Sequence, residues 1–195
     1  VIAYGGMCRA EYSMSLSALY VKTLQERPDI SFFSTGILFE SLVSRARNSA
    51  AAAALHYKCD YLLFIDADVA FDASDVFKLI DHDKDVVSGV YPKKYISHNK
   101  ASYLAKHNNK IFEHPDWSAF ATDFATEINE PFLNQVANGD KLIKVDYAAT
   151  GFMLIKTNVF KKIVKERPDL KYVNEVDGYS SWGENFYNFF PANIN

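Results

Sequence analysis

Tyr61-Leu62-Leu63-Phe64-Ile65-Asp66-Ala67-Asp68-Val69-Ala70-Phe71 carries the densest signal in the chain. Five apolar residues in succession, without alternation, read as a strand buried on both faces of a sheet. Two carboxylates follow, one residue apart. On an extended backbone residues i and i+2 point the same way, so Asp66 and Asp68 are expected to project together from the strand's C-terminal end. Acids that close repel unless a counter-charge intervenes. A divalent cation supplies one, and Mg²⁺ or Mn²⁺ favours one or two carboxylates together with phosphate oxygens. The C-terminal edge of an open α/β sheet is also where ligands bind. The stretch predicts a metal–diphosphate site; the plainer alternative is a loop whose carboxylates cap the following helix.

The flanking sequence alternates strand and helix. Val1-Ile2-Ala3-Tyr4 reads as a first strand running into the sharp turn Gly5-Gly6. Leu16, Leu19, Tyr20 and Leu24 recur at helical spacing over residues 13–25, and Pro28 closes that segment. Ile30-Ser31-Phe32-Phe33 reads as a second strand, ended by Ser34-Thr35-Gly36. A helix is predicted over about 42–57, carried by the alanines 50–54. Its first turns hold Arg45 and Arg47, which are two apart and cannot share a face. One is expected in solvent and the other, Arg47, at the sheet edge, where its planar fork suits anionic ligands.

After the acidic pair, Asp72 or Ser74 is placed to cap a short helix, and Val86-Val87-Ser88-Gly89-Val90 to form the fourth strand. The order β-α-β-α-β-α-β implies an α/β fold with a mostly parallel sheet wrapped by helices. Residues 95–140 read as an irregular excursion. Its aromatics (Tyr103, Phe112, Trp117, Phe120, Phe124, Phe132) either flank a carbohydrate subsite or are simply buried, and His98, His107 and His114 read as surface residues. Order returns with a strand at 142–147, a small-residue run Ala148-Ala149-Thr150-Gly151, a strand at 152–155 and a helix capped by Thr157 or Asn158. The aromatic tail from Tyr172 is expected to cover the core or face a ligand.

Bulk properties narrow the class. The 195 residues suffice for one substantial core. With 24 acidic against 21 basic residues there is no basic field for nucleic acid. No apolar run approaches bilayer-spanning length and no secretory signal is read. Cys8 and Cys59 cannot build a disulfide framework and read as buried free thiols in a reducing, cytoplasmic compartment.

Taken in order, the glycine turn after strand 1, Ser44-Arg45-Ala46-Arg47-Asn48, Phe64-Ile65-Asp66-Ala67-Asp68-Val69, Val87-Ser88-Gly89-Val90-Tyr91-Pro92-Lys93 and Thr150-Gly151-Phe152-Met153-Leu154-Ile155-Lys156 resemble the nucleotide-sugar-dependent glycosyltransferases of the GT-A fold. More narrowly they are similar to the small glycosyltransferase domains of large DNA viruses and phages, including chlorella-virus domains that build capsid glycans. The resemblance implies a single GT-A (Rossmann-like) domain over 1–195, with nucleotide binding in about 1–94 and the acceptor side in about 95–195. It implies a metal-dependent hexosyltransferase moving a hexose or deoxyhexose from a UDP-sugar to a glycan or glycoprotein acceptor. Asp66 and Asp68 would hold Mn²⁺ or Mg²⁺. Tyr4, Gly5, Gly6, Ser34, Arg47 and Asp66-Ala67-Asp68 would contact the nucleotide, and Arg47, Lys93, Thr150 and Gly151 the donor sugar. Such enzymes carry a late Glu-Asp pair. Here only Gly183-Glu184-Asn185 is similar, so either Glu184 serves as catalytic base or the pair, with further domains, follows Asn195.

Three rivals share parts of the pattern. A phosphatase of the haloacid-dehalogenase type places Asp-x-Asp after the first strand, whereas here it follows the third. A sugar nucleotidyltransferase requires a Gly-rich basic loop after strand 1, where this chain has Cys8-Arg9. A nucleotide-sugar or glycan-binding module without a base accounts for Asn185.

Overall fold

The computed structural model describes residues 2–3, 6–38, 40–115, 117–127, 142–174 and 180–191. The chain divides into two compact units, Val1–Gly89 with Thr150–Asn195, and Val90–Ala149.

The first unit begins with β1 (Ile2–Ala3) and α1 (Ala10–Glu26). Tyr12, Leu19 and Thr23 fall on one stripe of α1 and are buried there. The helix stops at Glu26, two residues before Pro28, whose ring disfavours helical geometry at Arg27. Arg27 ties this end to the third helix, pairing with Asp29 and with Asp81 at 2.9 Å each. A short β2 (Ile37–Leu38) pairs parallel with β1. Helix α2 (Val43–His56) follows, with Ala50 to Ala54 all buried. Methyl-sized side chains let a helix be enclosed on every side, and Ala52 and Ala53 receive Trp182 and Phe186 from the tail. The helix ends in a Schellman arrangement: Cys59 N–H donates to Ala54 O and Lys58 N–H to Leu55 O, with Lys58 at φ 54°.

The apolar run forms β3 (Tyr61–Ile65). Asp72 caps α3 (Ala73–Asp81) by accepting from Ser74 N–H at 2.7 Å, and Val76, Phe77 and Leu79 are buried. β4 (Val86–Ser88) comes next. In the second unit, α4 (His98–His107), a 3₁₀ turn (Asn109–Glu113) and α5 (Trp117–Phe120) precede a ladder in which β5 (Thr126–Glu127) pairs antiparallel with β6 (Tyr147–Ala148). Back in the first unit, β7 (Phe152–Lys156) leads into α6 (Thr157–Glu166), whose Phe160 packs edge-on to Phe189.

The main sheet has the order β3-β7-β4, and β7 runs antiparallel to both neighbours. This corrects the mostly parallel GT-A (Rossmann-like) sheet expected from element order. β3 and β4 do run the same way, but the last strand in sequence lies between them, so they do not pair. The parallel ladder that the described residues contain is the two-residue β1–β2 pair. Other expectations change locally. Ile30-Ser31-Phe32-Phe33 is irregular, and the strand expected at 142–147 is reduced to β6. α6 takes Lys156 as N-cap, without a side-chain cap. Tyr103, Phe112, Phe120 and Phe124 are exposed rather than buried, and Phe132 lies outside the described residues. Cys8 is an exposed thiol and Cys59 a half-buried one. The tail does cover the core through Trp182, Phe186 and Tyr187. Among the described residues no helix is long and apolar enough to cross a membrane.

Candidate functional site

At the end of β3 the ladder runs one step past the strand: Asp66 N–H donates to Gly151 O at 2.9 Å. The chain then turns, with Val69 N–H donating to Asp66 O at 3.0 Å and Arg9 N–H to Ala67 O at 2.8 Å. Asp66 and Asp68 therefore occupy the first and third positions of a β-turn. Asp68 lies in the turn beyond the ladder, so strand alternation no longer sets its direction relative to Asp66.

Asp66 faces a cation from the protein itself. Arg47 is buried with its guanidinium 5.1 Å from the centre of the Phe64 ring. It donates to Asp66 Oδ1 at 3.3 Å and to Thr150 O at 3.2 Å. Arg45, two residues earlier, turns to Glu40, donating from Nε at 2.6 Å and from an Nη at 2.8 Å. Those hydrogen bonds hold the buried Glu40 carboxyl below its ordinary range. The fold thus brings together Arg47, Asp66, Thr150 and Gly151.

Other residues singled out in the sequence lie elsewhere. Gly6 takes a left-handed φ of 73°, which suits a turn without Cβ, while Tyr4 and Gly5 fall outside the described residues. Ser34 is fixed against α1: its N–H donates to Tyr20 Oη at 2.9 Å, and that hydroxyl donates to Ser34 Oγ at 3.0 Å. Lys93 belongs to the second unit, where its N–H donates to Asp123 O at 2.7 Å. Glu184, on a 3₁₀ turn (Ser180–Asn185), has its side chain 91% accessible and 2.7 Å from Lys171. That hydrogen bond lowers the Glu184 carboxyl below its ordinary range, the wrong direction for a general base near neutral pH.

A feature without any sequence motif is a cavity of about 350 Å³ in the first unit. Tyr12, Leu16 and Leu19 of α1, Ala50 and Ala54 of α2, and Val76 and Phe77 of α3 wall it, with β3 and residues 29–35 along its length. Burial pushes the Tyr12 hydroxyl up to about 12, so it stays protonated, and burial raises the Cys59 thiol as well. Among the described residues, Ser34 is the one expected nucleotide contact that lines this cavity. Only the apolar helix stripes hinted at it, since a cavity is set by what fails to meet.

Among the described residues no three His, Cys, Asp or Glu side chains converge as metal ligands. No protein-family model, curated protein or solved structure matches the chain. These findings, with the antiparallel sheet, overturn the resemblance to GT-A glycosyltransferases and the viral glycan-synthesis role it implied. The reading as a metal-dependent hexosyltransferase using a UDP-sugar falls with it: the architecture that would present donor and metal is not the one this chain adopts.

Proposed function

We propose that the unit formed by Val1–Gly89 and Thr150–Asn195 is a binding module whose site is the apolar cavity between α1, α2, α3 and β3. The single observation that carries this reading is the cavity's size and lining. Its volume of about 350 Å³ lies at the lower end of ligand pockets, which run from roughly 300 to 1,000 Å³. Benzene-sized molecules occupy apolar cavities of about 150 Å³, so this one suits an apolar body of roughly a dozen non-hydrogen atoms.

A neutral, environment-sensitive aromatic dye, 1-aminoanthracene, tests the reading on the intact 195-residue chain. Saturable one-to-one binding is expected, lost in Ala54→Leu, whose added carbons enter the cavity. That variant should melt no lower than the parent, because it fills space instead of opening it. Equal dye binding in parent and variant sinks the proposal.

Mn²⁺ or Mg²⁺ at Asp66 and Asp68, and a UDP-sugar or glycan beside Arg47 and Thr150, are separate ligand proposals. What supports them is the convergence of one guanidinium, one carboxylate and the Thr150–Gly151 backbone; Arg47 already neutralises Asp66, so a cation there has a competitor. The unpaired thiols Cys8 and Cys59 support a cytoplasmic setting.

A further inference from the structure

Helix α1 has two unlike sides. Tyr12, Leu19 and Thr23 are buried on one, and the helix packs on α3. Roughly half a turn away, at about 100° per residue, stand Ala10, Met14, Ser17, Val21 and Leu24. They are spaced 4, 3, 4 and 3 apart, the repeat of a coiled-coil seam. Met7 extends the register seven residues before Met14, just ahead of the first turn. Met7, Met14, Val21 and Leu24 are 55% to 81% exposed. Apolar side chains scattered singly over a surface need no explanation, but four in one register do. The charged residues at exposed positions of α1 are Glu11 and Glu26, and both stand off the seam. By contrast the exposed positions of α6 are Asn158, Lys161, Lys162, Lys165 and Glu166, an ordinary solvated face. Ser17 is satisfied within its own helix, its Oγ donating to Ser13 O at 2.9 Å, so it meets a partner as a small side chain whose proton is already placed.

We propose that this seam is the contact between two copies of the chain, α1 lying antiparallel on α1. In a two-fold contact one patch serves both copies, so it must tolerate itself, and an uncharged seam brings no like charges together. Side-chain size sets the direction. With the two-fold axis between Met14 and Ser17, the antiparallel layers are Met7–Leu24, Ala10–Val21 and Met14–Ser17, each made twice. The four inner layers set a large side chain against a small one, which interdigitates, and Met7 covers Leu24 at either end. In a parallel pair every residue meets itself. Met14 and Val21 would then crowd their copies while Ala10 and Ser17 left gaps between theirs. The antiparallel order also keeps the two Glu11 side chains at opposite ends. At about 1.5 Å per residue the 17-residue helix is roughly 25 Å long. A strip of that length and one helix wide covers well under the roughly 800 Å² per partner of a tight complex, so the dimer is weak and forms with concentration. The cavity-lining Tyr12, Leu16 and Leu19 lie on the other side of α1, so this contact does not rest on the cavity reading and either can fail alone.

Sedimentation equilibrium of the intact chain, from roughly 5 to 500 μM, reads the mass directly. Expected is a rise from the monomer's 22.1 kDa toward twice that, with a dissociation constant on the order of tens of micromolar. Ala10→Glu and Val21→Lys, both at exposed positions, should each weaken self-association by about tenfold or more, because each sets an unpaired charge in the seam. Mixed one to one, the two variants should associate again to within about threefold of the parent, since position 10 of one copy then faces position 21 of the other with opposite charge. Association regained in the mixture also shows that both variants fold. A parent chain that stays monomeric across the range overturns the proposal. So does a dimer that neither substitution weakens, because its contact then lies on another surface. Loss in both variants with no recovery on mixing overturns the antiparallel seam as well.

Discussion

Arg47 and Asp66 meet at 3.3 Å with unequal access to water: the arginine side chain is 9% exposed and the aspartate 37%. Removing either partner is therefore not symmetrical. Asp66→Asn strands a buried guanidinium, whereas Arg47→Met leaves a carboxylate that water can still reach. Urea unfolding should find Asp66→Asn the more damaging, by about 2–4 kcal/mol against about 1–2 for Arg47→Met. Equal losses would mean that Thr150 O and the Phe64 ring, rather than Asp66, hold the arginine.

Mn²⁺ proposed at the turn 66–69 would have to displace that arginine from Asp66. Calorimetric titration is expected to give weak binding to the parent chain, tighter binding to Arg47→Met, and none to Asp68→Ala. Binding unchanged in all three would remove the turn at 66–69 from consideration as a cation site.

Lys58 closes α2 in the left-handed region at φ 54°, where a side chain is strained and glycine is not. Lys58→Gly should raise stability by about 0.5–1 kcal/mol, read as a higher denaturation midpoint with an unchanged slope.

Gly89 has the opposite sensitivity. A Cβ there would collide with Cδ1 of Phe152 in the neighbouring strand. Gly89→Ala should cost about 1–3 kcal/mol, and Phe152→Leu in the same chain should return part of it. A neutral Gly89→Ala would show that β4 and β7 separate more readily than their ladder implies.

Tyr12 sets an alkaline limit. Its hydroxyl is raised from 10.0 to about 12 in the folded chain, first by burial and then by Cys8. The unfolded chain ionises first, so this contribution is complete below pH 10 and declines between pH 10 and 12. Melting temperature followed across that window should fall less steeply for Tyr12→Phe than for the parent.

Much of the local structure was legible because its causes are local. The Asp72 cap, the alanines of α2 and the apolar run of β3 each announce themselves within a few residues. Strand partnership is a different matter. Nothing in Phe152-Met153-Leu154-Ile155 says that it slides between β3 and β4, because an apolar run fits either neighbour and either direction equally well. The expectation that Asp66 and Asp68 share one extended strand leaned on the same kind of assumption: periodicity takes the strand to continue, whereas the last ladder bond here, Asp66 N–H to Gly151 O, depends on a residue far away in sequence. Ile30-Ser31-Phe32-Phe33 has strand composition but no pairing partner among the described residues, and composition alone cannot provide one.

The position of β7 also dictates a timetable. Translation delivers β3 and β4 well before the strand that joins them, since 63 residues separate Ser88 from Phe152. Until Phe152–Lys156 leaves the ribosome, both early strands wait without their shared neighbour, and the loop to be closed is long and entropically slow. Nascent chains of this protein should thus depend on chaperone shielding until Phe152–Lys156 emerges, then zip from the centre of the sheet outward.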